Sequence, residues 1–491
     1  MKVVRIITIA GGLLLFCLTA PAMAYRDSGQ VVNYSDFKYI TTIATSAQRT
    51  YVGTSQGVIV FNKTTNSWET PLTGLDGIDP GAIRKLWVDQ FDEQVYAETD
   101  VGLYELDLTF GRWVTQLSVP TLESLDKHIA PPQVLFPPFG YDYDGNGGLI
   151  DPQGRKFRIS DIVDDGSGTL WIGTWGLGLF QADVNSKIVE PLPFGLLQNE
   201  IFALRENDST LYIAGPAYAN RRTGLTEFNL RTNDFMYIET GPGFDLPADD
   251  IECLDVVGNR LIVGTTEGLF DLDRKSGRAI GRVDHGMKAD SSVFTAVKVV
   301  GDSIFAGTND GLFVLTGKSK PASSIVYSTL IGHIIYDLKL VQDQIWIGSD
   351  IGAYRFSLVT GKLQKFQDPD QLLFDRVFNI AVTKNDLWLT SDAGAVRIDL
   401  DSGYTTAYPI SSRLIGRRPI AANDSIAALA TDLGVTIIYL DDQHWTSREL
   451  TTLDGLPSPD VYALVLDGDY LWVGTDRGLS RIDWTNPRLR P

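Results

Sequence analysis

Asp454 to Asp483 reads DGLPSPDVYALVLDGDYLWVGTDRGLSRID, and this stretch decides the fold. Val461 to Leu466 alternates as a strand does, and Asp467-Gly468-Asp469 is a tight turn. Tyr470 to Thr475 forms a second strand, and Asp476-Arg477-Gly478 turns into a third at Leu479 to Ile482. The second strand is apolar at Leu471, Trp472 and Val473 in succession, which suits a strand covered on both faces. Other copies add a fourth strand, such as Trp68-Glu69-Thr70 or Thr405 to Pro409.

The Leu-Trp-Val-Gly-Thr core recurs ten times from Tyr51 onward. From Tyr96 through Trp171, Tyr212, Ile262, Phe305, Trp346 and Trp388 the gaps are 75, 41, 50, 43, 41 and 42 residues. A period near 42 is the length of one four-stranded sheet. The expected fold is therefore all-β, a β-propeller of about ten four-stranded blades. One such sheet buries three or four large side chains at roughly 1.5–3 kcal/mol each. Conformational entropy consumes most of that gain, so ring closure matters. The last repeat stops after its third strand, and Gln30 to Asp36 precedes the first repeat with a short apolar stretch. The expectation is one ring closed by this N-terminal strand, with two smaller propellers in tandem as the alternative.

Lys2 and Arg5 precede an apolar run from Ile6 to Leu18, and Pro21-Ala22-Met23-Ala24 has a small-x-small ending. Residues 1–24 read as a cleaved secretory signal, and 25–491 as the propeller, with an insertion at about 120–156. The apolar run is shorter than the roughly 20 residues that span a bilayer. The expected location is periplasmic or secreted, with no membrane span in the mature chain. Without Lys2 and Arg5, 40 basic residues face 61 acidic ones, a net charge of −21. Such a surface repels nucleic acid and anionic membranes. Cys253 remains as the lone cysteine of the mature chain, so no intramolecular disulfide forms and it reads as a buried small hydrophobe.

These repeats resemble the two-component-regulator propeller, a ligand-binding sensor repeat of bacterial exported and membrane-bound receptors. The matching pieces are Asp454-Gly455-Leu456-Pro457, Val461-Tyr462, Leu471 to Thr475 and Gly478-Leu479. In that family a membrane helix, an immunoglobulin-like domain and a kinase often follow the propeller. The sequence shows none of these, so the resemblance implies a binding platform, with a separate membrane receptor as a possible partner.

In a propeller, the loops from strand four to the next strand one share a face with those joining strands two and three. The departures from the repeat fall on that face. About 33 extra residues lie between Val119 and Phe157, carrying Phe139 and Tyr143 among prolines; they read as a binding lid or a plug over the channel mouth. Repeat four has the longer turn Gly215-Pro216-Ala217-Tyr218-Ala219-Asn220-Arg221-Arg222, and repeat three places Trp175 in the same turn. The candidate ligand residues are Trp175, Tyr218, Arg221, Arg222, Arg413, Arg417, Arg418, Phe139 and Tyr143. The arginines suit carboxylates, phosphates or acidic sugars, or else they neutralise turn carboxylates already there. Asp142, Asp144 and Asn146 have the oxygen spacing of a calcium loop, with Gly147 at the sharp turn; Gln153 replaces the bidentate Glu, so a plain Asp/Gly turn competes.

His128, His285, His333 and His444 lack metal-ligand spacing, and no nucleophile elbow, phosphate loop or dinucleotide fingerprint appears. No cofactor beyond that calcium candidate is expected. A non-catalytic module binding a small molecule, glycan or protein is the favoured function. The alternatives are a propeller lyase or glycoside hydrolase, and a scaffold of a surface complex.

Overall fold

The computed structural model describes residues 31–79, 81–124, 126–218, 221–240, 246, 250–283, 293–316, 323–326, 328–366, 376–409, 419–440 and 445–490. Arg413, Arg417, Arg418, His285, His444 and the leader 1–24 lie outside them. The chain is all-β, a β-propeller repeat in which ten antiparallel sheets follow one another among the described residues. In the best-formed copy, Val461–Asp467, Tyr470–Thr475 and Leu479–Asp483 pair in sequence order. The fourth strand is Val31–Tyr34, which pairs antiparallel with Leu479–Asp483 in the register Val31↔Ile482 to Tyr34↔Leu479. The N-terminal strand thus completes the last blade, as its missing outer strand required.

The second strand of each sheet is buried almost throughout, as at Leu471 to Thr475. Its turn glycine holds the left-handed region in most copies: Gly478 has φ +138°, and a Cβ there would stand 2.6 Å from the Tyr34 carbonyl oxygen. Gly102 departs from that pattern, having no positive φ.

The ring is smaller than ten. The first strands Ala203–Asn207, Ile251–Val257, Phe294–Val300, Ile335–Val341, Val377–Val382, Ile420–Ala422 and Val461–Asp467 stand in succession, and the last lies beside the first. Repeats four to ten therefore close a seven-blade ring around one axial cavity, whose wall takes residues from all seven. The first three repeats form a separate stack in the spatial order three, one, two: Lys156–Asp164 lies beside Ile40–Thr45, which lies beside Lys85–Val88. The expectation of one ten-blade ring is corrected in this respect. A period of 42 fixes the size of a wedge but not how many wedges meet. That number follows from the angle between sheets.

The closing strand Val31–Tyr34 precedes the stack in sequence, so the described chain passes from the ring at residues 35–39 and returns at 193–201. One aromatic core joins the parts. Tyr34 meets Phe228 at 5.2 Å and Trp472 at 6.1 Å inside the ring, while Phe194 bridges Phe235 at 5.0 Å and Trp68 of the stack at 4.6 Å.

The long insertion packs differently from a channel plug. Its short strands Lys127–His128 and Gly148–Ile150 pair with Lys156–Asp164, and Asp142–Tyr143 pairs with Gly148–Ile150. Leu135 and Leu149 are buried against Ile172, Phe180 and Val189 of sheet three, with Tyr141 and Tyr143 packed alongside. None of it lines the axial cavity. Sheet three is first in its stack and has no blade behind it, so its apolar back would face water. The insertion covers that back.

Candidate functional site

The two crossings between ring and stack, the long turn of repeat four and the turn of repeat ten enclose a cleft of about 230 Å³. Tyr39, Gln198, Asn199, Glu200, Tyr218, Arg221 and Asp476 are on its wall.

Its base is a buried ion network. Lys38, 3 % exposed, donates to the carbonyls of Leu197 (2.5 Å) and Leu196 (3.4 Å) and pairs with Asp36 at 2.8 Å. Burial pulls its pKa down, against the opposing pull of Asp36. Arg222 pairs with Glu239 at 2.5 Å, its Nη1 reaches the Leu177 carbonyl at 3.4 Å, and Arg155 bridges Glu239 (3.2 Å) and Asp151 (2.6 Å). Burial would raise the Glu239 carboxyl, but Arg222 and Arg155 overcome it and hold the group below its ordinary value. Sequence reasoning left Arg222 either gripping an anion or neutralising a carboxylate already there. It is buried and spent on Glu239, because the turn folds back over Glu239–Thr240 rather than standing in solvent.

Above this base the groups are available. The Tyr218 hydroxyl donates to the Glu200 carboxylate, a bond that pushes its pKa up to about 12. The Arg221 guanidinium stands 5.8 Å from the Tyr218 ring centroid, and its carbonyl accepts from Arg155 at 2.9 Å. Gln198 is 8 % exposed; its Oε1 accepts from the Gly224 N–H at 3.0 Å, while its Nε2 has no partner among the described residues. Asp476 Oδ1 is likewise buried without a partner. An unmet buried amide donor costs about 1–3 kcal/mol, which a bound acceptor would recover.

Trp175 is exposed in its turn, as expected, and lies edge-on to Tyr39 at 5.2 Å, so it flanks the cleft without lining it. Tyr218 and Arg221 line the cleft itself. Phe139 is fully exposed on the insertion, and Tyr143 packs on sheet three with its hydroxyl donating to the Pro132 carbonyl at 2.6 Å. At the calcium candidate, Asp144 is held by Lys156 and by the N–H groups of Asn146 and Gly148, both at 2.8 Å, and its pKa falls to about 2. Asp142 is exposed in its short strand, and among the described residues no three His, Cys, Asp or Glu side chains gather as metal ligands. Tyr39, Gln198 and Glu200 were missed because they sit on linkers with no repeat motif. The one signal was the irregular stretch Pro193 to Glu200, which fits no strand of the repeat.

The second cavity is the ring axis, about 310 Å³. Phe202, Tyr462, Tyr336 and Phe378 occupy one level of its wall, paired across blade boundaries at 5.2 and 5.1 Å. Arg205, Asp255, Lys298 and Lys339 line it three residues further along the inner strands. Cys253 lines this wall half-buried, with its Sγ 3.4 Å from the Phe294 carbonyl, rather than fully buried as its sequence suggested.

No family model and no curated protein matches this chain. Among solved structures it is similar to PorZ, a bacterial surface component of the type-IX secretion system of Porphyromonas gingivalis. That similarity has a TM-score of 0.56 at 14 % identity, over 93 % of this chain and 87 % of PorZ. The extracellular domain of BT4673 from B. thetaiotaomicron matches at TM-score 0.45 and 15 % identity, covering 90 % of this chain and 70 % of that one. The WD40 propeller domain of Doa1 matches at TM-score 0.45 and 11 % identity, over 61 % of this chain and 97 % of that domain. At such identity the likeness to PorZ is one of fold alone. No helix among the described residues is long and apolar enough to cross a membrane.

Proposed function

We propose that this chain is an exported, non-catalytic recognition module of the sensor-propeller type, and that it holds a small polyhydroxylated ligand, one sugar unit of a glycan, in the cleft between ring and stack. The observation that carries this reading is the buried Nε2 of Gln198, unpartnered among the described residues, on a cleft wall that also holds Asp476, whose Oδ1 is unpartnered while its Oδ2 stands 3.7 Å from Arg477. A sugar hydroxyl both accepts and donates, so it can satisfy an amide donor and a carboxylate acceptor at once. Tyr218 and Tyr39 offer ring faces beside them, and Arg221 adds a donor. Carboxylates and cations on the wall nearly balance, which favours a neutral ligand over a strongly charged one.

Catalysis is disfavoured by placement. Among the described residues, the carboxyl groups that burial raises, Asp76, Asp126 and Glu227, line neither the cleft nor the axial cavity. A general acid would need such a group at the ligand. Any onward signal would pass through a separate membrane receptor.

Calorimetric titration with a panel of neutral mono- and disaccharides tests the reading. At least one should bind, and Gln198→Glu, Tyr218→Ala and Arg221→Ala should each weaken it about tenfold or more, the loss of one good hydrogen bond or of the ring face. Gln198→Glu keeps the acceptor for Gly224 while removing the donor. Failure of every sugar to bind, or unaltered affinity in all three variants, overturns the proposal.

A further inference from the structure

We infer that the axial channel of the seven-blade ring is a second binding site, one for a small oxyanion such as a carboxylate or phosphate, built on Arg205, Lys298 and Lys339. The three cations come from the inner strands of repeats four, six and seven, and Asp255 of repeat five stands among them. Arg205 reaches Asp255 at 3.2 Å, Lys298 reaches both its oxygens at 3.0 Å, and Lys339 comes only within 3.4 Å of Asp337.

The wall carries three carboxylates as well, Glu252, Asp255 and Asp337, but two of them have another task. Asp255 accepts from the Val299 N–H of the next blade at 2.8 Å. Asp337 accepts from Leu338 at 2.8 Å and from Ile380 of the next blade at 2.9 Å. Each therefore staples one inner strand to its neighbour. Glu252 lies three residues from Asp255, at the level of the aromatic mouth. Beyond that level the wall carries three cations, Arg205, Lys298 and Lys339, against two carboxylates, Asp255 and Asp337, inside a protein of net charge −19.

The cations also feel one another. Burial lowers the pKa of Lys298, Asp255 counters it, and Arg205 and Lys339 add to the lowering. An incoming oxyanion would relieve that repulsion, and two or three N–H donors converging on it give the charge-assisted bonds that such groups bind through. The mouth above is lined by Phe202, Tyr336, Phe378 and Tyr462, so an anion with a flat apolar body fits better than a hydrated inorganic one. This site stands apart from the cleft: Gln198, Tyr218 and Arg221 do not line it.

Full-length protein titrated calorimetrically with inorganic phosphate, citrate and benzoate tests the inference. At least one probe should bind, with affinity falling as sodium chloride is raised. Arg205→Gln and Lys339→Gln should each weaken it about tenfold, and Lys339→Arg should restore it. Lys339 is the safer variant, since its one ion pair is long and its removal leaves both staples intact; circular dichroism would check that each variant is folded. Benzoate binding tighter than phosphate supports the role of the mouth. No binding by any of the three, or equal binding by folded Arg205→Gln and Lys339→Gln, overturns the inference. Sugar binding in the cleft should be unchanged in both variants, which separates failure here from failure there.

Discussion

The backbone N–H of Ile201 donates to the carbonyl of Thr475 at 3.0 Å, across 274 residues of chain. Ile83 makes the same bond to Thr54 at 3.0 Å between blades that are neighbours in sequence. Both bonds join the end of one second strand to the entry of the next blade. The equivalence says that repeat four follows repeat ten in space as repeat two follows repeat one. A glycine makes room for the contact each time. A Cβ on Gly53 would stand 2.8 Å from the Ile83 side chain, and one on Gly474 2.8 Å from Ile201. Gly173 of repeat three faces Ile40 of repeat one in the same way, which sets the order of the stack.

Ring closure should therefore be sensitive at this point. Gly474→Val adds branched bulk where no space exists, and overpacking of this kind costs about 1–3 kcal/mol. Tyr34→Ala removes a fully buried ring from the closing strand and should cost about 3 kcal/mol or more. Urea unfolding followed by fluorescence measures both; a loss below about 0.5 kcal/mol in each would contradict the closure described.

Arg222 and Glu239 should behave as a structural pair. Removing either partner strands a buried charge, so Arg222→Ala should lose about 3–5 kcal/mol. Replacing both, as Arg222→Met with Glu239→Leu, should cost less than either single change. The Glu239 carboxyl is held below its unfolded value, so its contribution is present above pH of about 4.5 and fades as pH falls through the folded pKa. A double-mutant cycle in urea gives the coupling; additive losses would mean the pair does not matter.

Glu227 titrates in the opposite sense. Burial raises its pKa to about 7, and its Oε1 has no hydrogen-bond partner. The folded chain then holds a proton that the unfolded chain releases near pH 4.5, so stability falls as pH rises from about 4.5 to 7. Glu227→Gln should remove that slope and raise stability at pH 8 by about 2 kcal/mol. Melting temperatures from pH 5 to 8 check it, and parallel curves for variant and wild type would refute it.

The insertion should matter through its buried side and not its exposed tip. Leu149→Ala opens a cavity against sheet three and should cost about 2–5 kcal/mol, whereas Phe139→Ala, fully exposed, should change stability by less than about 0.5 kcal/mol. Calcium in the millimolar range should leave the melting temperature of the wild type where it is, since Asp144 already has Lys156 and two N–H groups. A rise of several degrees would restore the calcium loop.

Much of the cleft was legible in pieces. Trp175, Tyr218 and Arg221 stood out because they break a strict repeat, and they do gather near one cleft or its flank. Gln198 and Glu200 could not be read, since a linker residue has no period to depart from. For Arg222 the sequence left ligand grip and carboxylate neutralisation both open, because it shows a charge but not its partner, and Glu239 lies beyond the turn in the next strand.

The repeat of Leu-Trp-Val-Gly-Thr by itself determined the sheet, its strand order and its buried second strand, because each rests on local alternation and turn chemistry. The outer strand Val31–Tyr34 was legible because the last repeat lacks a fourth strand and an unassigned apolar stretch precedes the first. Tertiary structure alone decided that seven blades close and three stack beside them. Every repeat carries nearly the same faces, so the choice of neighbour depends on packing angles summed around the axis, and no single stretch of chain encodes that sum.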